Sequence, residues 1–84
     1  MADIETRIAV IAIIVENSDS AVEINSLLHE YSSYIIGRMG IPYPAKNVSL
    51  ISVAIDAPSD AISALTGKLG RVNGVTVKTA YSKM

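Results

Sequence analysis

The sequence predicts an α+β fold in which two helices cover one face of a four-stranded antiparallel sheet. Four segments are rich in β-branched residues, as strands are, and two segments repeat apolar residues at helical spacing. In chain order these segments give the pattern βαββαβ. Glycine, proline or helix-cap residues lie between most of them, so most predicted elements have a boundary in the sequence.

The first strand and the first helix lie within residues 7–32. Residues 7–15 are mostly Ile, Val and Ala, and this run is too short for a buried helix, so it predicts a strand. Residues 16–20 predict a turn, with Ser20 and Glu23 spaced as in a capping box. The helix that follows, to about residue 32, has one apolar stripe, formed by Ile24, Leu27, Leu28 and Tyr31.

Two strands separated by a loop are predicted next. Residues 34–39 and 48–56 have the composition of strands. Residues 40–47 contain two prolines, which lack the N–H group that a sheet ladder needs, and predict a loop.

The second helix begins at the segment 58–60, and Gly70 has the position of a left-handed cap that ends it. Asn73 and Gly74 then predict a turn before the last strand, 75–81. The buried stripe of this helix is expected to consist of Ile62, Leu65, Leu69 and Val72.

These elements predict a single ferredoxin-like domain over residues 1–84, with the usual strand order 4-1-3-2. The chain has no cysteine, which excludes disulfides and thiolate sites and favours a reducing compartment. Residues 1–5 do not resemble a signal peptide, and the longest apolar run falls far short of the about 20 residues that span a membrane. We expect a cytoplasmic protein without a membrane partner.

The charge pattern argues against direct binding of nucleic acid. The net charge is −1, and the seven basic residues are scattered along the chain. There is no Phe or Trp, and the four Tyr do not alternate with basic residues as in sheets that stack bases.

Both faces of the two central strands are apolar, although two helices cover only one face. In the first strand Ile8, Val10 and Ile14 alternate with Ile11 and Ile13. An uncovered apolar face of this size is rare on monomers, so we expect a homo-oligomer, a dimer or a tetramer, packed on the sheet. The alternative is a monomer in which Ala and Ser make the uncovered face less hydrophobic.

The titratable residues give little support for catalysis or metal binding. His29 is the only histidine, and its helical position faces away from the apolar stripe. Glu23 and Glu30 lie two turns apart, about 10 Å along the axis, which is loose for an acid–base pair. We expect no catalytic residue, no metal and no cofactor.

Three places are candidates for binding a ligand or a partner. The turn before the first helix offers backbone N–H groups to an anion, although ordinary capping explains it as well. Two residues flank the proline loop, and a solvated loop is the alternative there. A glycine within the second helix marks either close packing within the chain or a surface that a partner approaches. The residues concerned are Glu16, Asn17 and Ser18; Arg38 and Tyr43; Gly67 and Lys68.

The segment 64–79, ALTGKLGRVNGVTVKT, resembles the signature of the iron-only hydrogenase system regulator family. Residues 22–31, the turn 38–42 and the apolar third strand also match, so the resemblance covers nearly the whole chain. It implies an ACT-like domain, similar to the C-terminal domain of the nickel-responsive regulator and often oligomeric. That regulator binds metal through histidines and a cysteine, which this chain lacks apart from His29, so metal sensing is not carried over. DNA binding is not carried over either, because the βαββαβ unit uses the whole chain.

The sequence and the resemblance together favour a non-enzymatic, homo-oligomeric regulatory module that senses a small ligand or docks a protein partner. The ligand is expected where the first turn meets a neighbouring subunit. Two alternatives stay open: a small ferredoxin-like enzyme that pairs His29 with an acidic residue of another subunit, and a metal-binding maturation factor.

Overall fold

The computed structural model describes residues 5–83. Residues 1–4, and with them most of the segment compared with a signal peptide, lie outside the described residues. Short 3-10 turns connect several of the elements. The strands and helices, in chain order, are β1 (Arg7–Val15), α1 (Ala21–Glu30), β2 (Ile35–Tyr43), β3 (Val48–Ala57), α2 (Ser59–Gly70) and β4 (Val75–Tyr81).

The four strands form one antiparallel sheet in the order β2-β3-β1-β4. This arrangement confirms the predicted α+β, βαββαβ fold and its ferredoxin-like strand order. In the centre of the sheet Ile11 lies opposite Val53 and Val10 lies opposite Ala54. Because successive side chains of a strand point to opposite faces, the register separates two faces with different neighbours.

One face of the sheet packs against both helices and forms the core. Ile11, Ile13, Val53 and Ile55 are at most 1% exposed. The predicted helix stripes meet them: Ile24 and Leu28 of α1 and Ile62, Leu65 and Leu69 of α2 are buried, as is Val72 just after α2. Leu27 and Tyr31 pack against the same cluster. The periodicity of the sequence thus identified the helix faces that are buried.

Strand β2 is longer than predicted, because it continues through Pro42 to Tyr43. The loop predicted for 40–47 is wrong over its first half, and only the 3-10 turn Pro44–Lys46 and Asn47 interrupt the chain there. The physical reason is the position of β2 at the edge of the sheet. An edge strand tolerates a proline, whose missing N–H group need not serve a neighbouring strand.

The start of α1 differs from the predicted capping box. Ser20 makes no side-chain cap bond; its buried hydroxyl donates a hydrogen bond to the backbone carbonyl of Asn73. Asn17 is the capping residue instead, because its side-chain oxygen accepts from the N–H of Asp19, 3.0 Å away, and begins a 3-10 turn ahead of α1. Ser20 therefore fastens the start of α1 to the turn before β4.

The left-handed glycine is Gly74, with φ +74°, and the prediction of a left-handed cap at Gly70 is wrong. Gly70 is the last residue of α2, and Arg71 after it has right-handed helical angles. A Cβ atom at Gly74 would lie 2.7 Å from Cβ of Asn17, and the Gly74 carbonyl accepts from the N–H of Glu16. Glycine at 74 thus lets the turn before β4 lie close to the turn that follows β1.

No helix among residues 5–83 is long and apolar enough to cross a membrane.

The second face of the sheet, which we call the open face, carries no helix. Its large apolar side chains are between 41% and 61% exposed, and they are Ile8, Val10, Ile14, Met39, Ile41, Tyr43 and Leu50. The predicted assignment of alternate residues to the two faces of β1 is correct.

Candidate functional site

A cleft of about 510 Å³ lies on the helix-bearing side of the sheet. It lies between the first half of α1 and the second half of β2, and the turn Pro44–Lys46 borders it. We call it the α1–β2 cleft. Its volume is within the range of about 300–1,000 Å³ that is usual for small-molecule sites.

The cleft exists because β2 presents little bulk toward α1. The residues of β2 that lie opposite helix-facing residues of β3 are Arg38, Gly40 and Pro42. Gly40 has no side chain, and a Cβ atom added to it would meet nothing within 4 Å. The space between strand and helix is therefore left unfilled at Gly40. Ile24 of α1 and Ile51 of β3 form part of its apolar wall.

Arg38 and Asn25 join the two sides of the cleft. Nη2 of Arg38 donates a hydrogen bond of 2.9 Å to Oδ1 of Asn25 on α1. This bond uses one of the five N–H donors of the guanidinium group, so four remain for a ligand or water. A planar guanidinium held in this way is suited to binding a carboxylate through two parallel hydrogen bonds.

The cleft is electropositive. Arg38 is the one charged residue that lines it, and no aspartate or glutamate among residues 5–83 does so. In that described part of the chain no carboxylate lies within 4.0 Å of the Arg38 guanidinium. Neutral polar residues, Ser18, Asn47 and Ser49, also line the cleft. The site thus combines apolar walls with a single positive charge.

The structure brings some of the predicted site residues together in this cleft and separates others. Ser18, Arg38 and Tyr43 all line it. Glu16 and Asn17 belong to the same turn as Ser18 but do not line the cleft, and Asn17 serves as the cap of that turn.

Gly67 and Lys68 lie on α2, near the end of α1 that is remote from the cleft lining. Nζ of Lys68 is 3.6 Å from the carboxylate of Glu30 and 5.1 Å from the centre of the Tyr31 ring. The polar side chain of Tyr31, and more weakly the charge of Glu30, raise the pKa of Lys68 above its ordinary value of 10.5. Lys68 is thus engaged in an exposed contact between the two helices.

The proposed close packing of Gly67 within its own chain is absent. A Cβ atom at this position would meet only the side-chain Nη1 of Arg71, at 3.8 Å, which is an ordinary contact. Nothing in the surroundings of Gly67 requires a glycine.

His29 is exposed on α1, as its helical position predicted, and it is not among the residues that line the cleft. Among residues 5–83 no three His, Asp or Glu side chains are grouped so as to hold a metal ion.

Sequence reasoning missed Asn25, Gly40 and Asn47 as parts of the site. Asn25 follows the buried Ile24 directly, and nothing in its spacing indicates that it meets Arg38 from another element. Asn47 ends the proline turn with φ +54°, a conformation that asparagine adopts more readily than most residues, so its residue type was the available signal. The prediction of a loop over 40–47 concealed that Gly40 is a strand residue facing α1.

The open face carries a second, shallower hollow of about 220 Å³. Ala12 and Ser52 form its floor, because they are small residues between the larger Ile14, Met39 and Ile41. The row Ile41–Leu50–Ile14–Thr76 runs across all four strands beside it. The open face is therefore apolar in its middle, and its surface is hollowed there rather than flat.

Comparison with known proteins places the chain in a family. Residues 7–79 match the family TM1266-like, described as "Iron-only hydrogenase system regulator, putative". No curated protein matches the chain significantly.

Among solved structures, the uncharacterized protein TM1266 from Thermotoga maritima is 36% identical, with a TM-score of 0.90 over 94% of this chain and 100% of its own. The C-terminal domain of the MgtC protein from Mycobacterium tuberculosis has a TM-score of 0.74 at 11% identity, over 99% of this chain and 95% of its own. A formyltetrahydrofolate deformylase from Pseudomonas putida KT2440 has a TM-score of 0.67 at 12% identity, over 92% of this chain and 29% of its own.

The last two similarities, at such low identity, show the fold alone. The family match covers most of the chain, and the structural match to TM1266 agrees with it in fold and in sequence. The resemblance seen in the segment 64–79 is thereby confirmed, and the chain belongs to the TM1266-like family.

Proposed function

We propose that this chain is a non-enzymatic regulatory module that binds a small ligand in the α1–β2 cleft and works as a homo-oligomer. The observation that carries the proposal is the cleft itself, a space of about 510 Å³ with apolar walls and one oriented cation. The description of the family as a regulator of the iron-only hydrogenase system supports the regulatory part.

The cleft has the features of a binding site and lacks those of a catalytic one. It holds a guanidinium, hydroxyls and amides, which fix the position of a ligand. Among residues 5–83, no histidine, carboxylate or lysine lines it to move a proton. Reversible binding is therefore the chemistry that these residues support best.

The oligomeric part of the proposal follows from the open face. Val10 and Ile14 are more than 40% exposed at the centre of the sheet, and Met39 is 61% exposed at its edge. Covering about 400 Å² of such surface contributes on the order of 10 kcal/mol before association costs. This is comparable to the whole stability of a small domain, so a second copy of the chain on this face has a strong driving force.

A thermal-shift screen of metabolites tests ligand binding. A ligand at about 100 times its Kd adds roughly 2.7 kcal/mol to the stability, which raises the Tm of so small a domain by about 10 °C or more. In Gly40→Val a side chain occupies the space that is empty above Gly40, so the same compound is expected to leave the Tm unchanged.

Gly70→Val is the control for Gly40→Val. Gly70, the last residue of α2, has equally open space around it and lies neither in the cleft nor on the open face. The control is expected to keep the full shift. If no compound raises the Tm of the wild-type protein, or if Gly40→Val responds as the wild type does, ligand sensing at the cleft is wrong.

The link to hydrogenase is tested in a host that makes an iron-only hydrogenase. Deletion of the gene is expected to change hydrogenase activity, and the wild-type chain is expected to restore it where the Gly40→Val chain does not. Unchanged hydrogenase activity after deletion would contradict the proposed role.

A further inference from the structure

We infer that the ligand of the α1–β2 cleft is a small organic monoanion, a carboxylate attached to a compact apolar body. This inference rests on the proposed function and specifies the class of ligand. Three features of the cleft carry it: the charge balance of its lining, the way Arg38 is held, and the apolar wall next to Arg38.

The charge balance selects the sign of the ligand. Arg38 contributes a positive charge, and within the described residues 5–83 the cleft lining contains no acidic side chain to neutralise it. An anion entering the cleft gains an ion pair with Arg38, whereas a cation meets a like charge.

The number of cations limits the charge of the ligand. Phosphate-binding sites usually combine several cations with a run of backbone N–H groups, whereas this cleft offers a single guanidinium. The hydrogen bond that Nη2 of Arg38 donates to Oδ1 of Asn25 orients the guanidinium plane and leaves its other N–H groups to bind. One planar fork matches one carboxylate.

The walls of the cleft select the rest of the ligand. Val15, Ile24 and Ile51 line it, together with the ring of Pro42 on the helix-facing side of β2. A fully polar anion, such as a hydroxylated dicarboxylate, would leave these groups in contact with polar atoms that they cannot satisfy. An apolar body of branched aliphatic or aromatic type buries them instead.

Three probes of nearly the same shape test the inference: 3-phenylpropionate, its neutral amide 3-phenylpropionamide, and the cation 3-phenylpropylamine. Each is titrated into ¹⁵N-labelled full-length protein, and the amide shifts of the cleft residues are followed. The carboxylate is expected to bind at least about tenfold more tightly than the amide, the size of effect that a charge-assisted hydrogen bond produces. The amine is expected not to bind.

Arg38→Gln is expected to remove this preference and to bring the carboxylate down to the affinity of the amide. Arg71→Gln removes an exposed arginine at the end of α2, outside the cleft, and is expected to leave all three affinities unchanged. The spectrum of each variant without a probe shows whether it is folded.

The possible failures separate the class of ligand from the proposed function. Equal binding of the carboxylate and the amide at cleft residues would overturn the anion inference and leave a cleft that binds apolar molecules. Preferred binding of the amine would overturn it as well. If none of the three perturbs the cleft at about 20 mM, a level that reveals even very weak affinity, the inference is wrong, and the metabolite screen alone then decides the proposed function.

Discussion

Arg38 on the edge strand β2 donates a hydrogen bond of 2.9 Å to Asn25 on α1, and both residues line the cleft between the two elements. The two residues lie 13 positions apart in the sequence, on a strand and a helix that the 3-10 turn Ser32–Tyr34 connects. The bond orients the single charge of the cleft, and the proposed recognition of an anion depends on that orientation.

Asn25 is expected to act as a positioning residue for Arg38. Asn25→Ala frees the guanidinium group, and we expect 3-phenylpropionate to bind a few-fold more weakly, by about 0.5–1.5 kcal/mol, as for the loss of one neutral hydrogen bond. Asn25→Asp places a carboxylate beside Arg38, which competes with the ligand, so the weakening is expected to be larger. NMR titration of both variants measures this order.

Ser26→Ala is the control for the Asn25 variants, because Ser26 is exposed on the same helix and does not line the cleft. Its affinity for the probe is expected to equal that of the wild-type protein. A weaker effect of Asn25→Asp than of Asn25→Ala would contradict the role assigned to the charge of Arg38.

Ser20 is expected to contribute to stability through its buried hydrogen bond to the Asn73 carbonyl. Ser20→Ala leaves that carbonyl without its partner, and the free energy of unfolding should fall by about 1–2 kcal/mol. Ser63→Ala, at an exposed position on α2, should change it by less than about 0.5 kcal/mol. Urea denaturation measures both; equal stabilities of the two variants would show that the Ser20 bond contributes nothing.

The two glycines Gly67 and Gly74 are expected to respond oppositely to alanine. Gly67 lies within α2 with open surroundings, so Gly67→Ala should stabilise the chain by up to about 1 kcal/mol, because alanine favours a helix. Gly74→Ala should destabilise it by about 1–3 kcal/mol, since φ is +74° and the new Cβ atom would clash with Asn17. Thermal unfolding of the two variants provides the comparison.

Gly67→Ala also tests the second interpretation of Gly67, that it lies on a surface which a partner approaches. If Gly67→Ala stabilises the isolated chain but lowers the mass of the particle in solution, a neighbouring subunit approaches the backbone of α2 at this point. An unchanged mass would show that no subunit contact needs the glycine.

The contact of Lys68 with Tyr31 is expected to appear in its titration. Because the folded-state pKa of Lys68 is raised, its stabilising contact is complete below pH 10.5 and is lost as the pH rises through the folded pKa. In Tyr31→Phe, which lacks the hydroxyl, the midpoint should move toward lower pH. The ¹³Cε shift of Lys68 measures the midpoint, and an unchanged value in Tyr31→Phe would contradict the assigned cause.

Local patterns in the sequence predict most of the fold, because core residues repeat with the period of their element. The stripe from Ile62 to Val72 identified a buried helix face correctly. The alternation along β1 separated the two faces of that strand correctly but did not show which of them is buried. The errors have a common origin in tertiary context. Pro42 is accepted because β2 is an edge strand, and Ser20 bonds to Asn73 rather than capping its own helix, neither of which is visible from neighbouring residues.

The candidate site was less predictable than the fold. Ser18, Arg38 and Tyr43 were singled out as polar residues near turns, and they line one cleft. These residues line one cleft because β2 extends to Tyr43. The prediction ended this strand at residue 39, because the prolines that follow were taken to exclude a strand. Gly40 is functionally informative only once it is known to face α1, since a glycine in a supposed loop indicates nothing about a cavity.

The mass of the particle in solution tests most directly whether the open face is a subunit interface. Light scattering of the native protein at micromolar concentration should give at least twice the 8.9 kDa of one chain. Val10→Glu, on the open face, should lower this mass or leave the chain poorly folded, whereas Val22→Glu makes the same change at a site that is 80% exposed on α1 and should alter neither. A well-folded wild-type protein with the mass of a single chain would contradict the homo-oligomeric regulator proposed here.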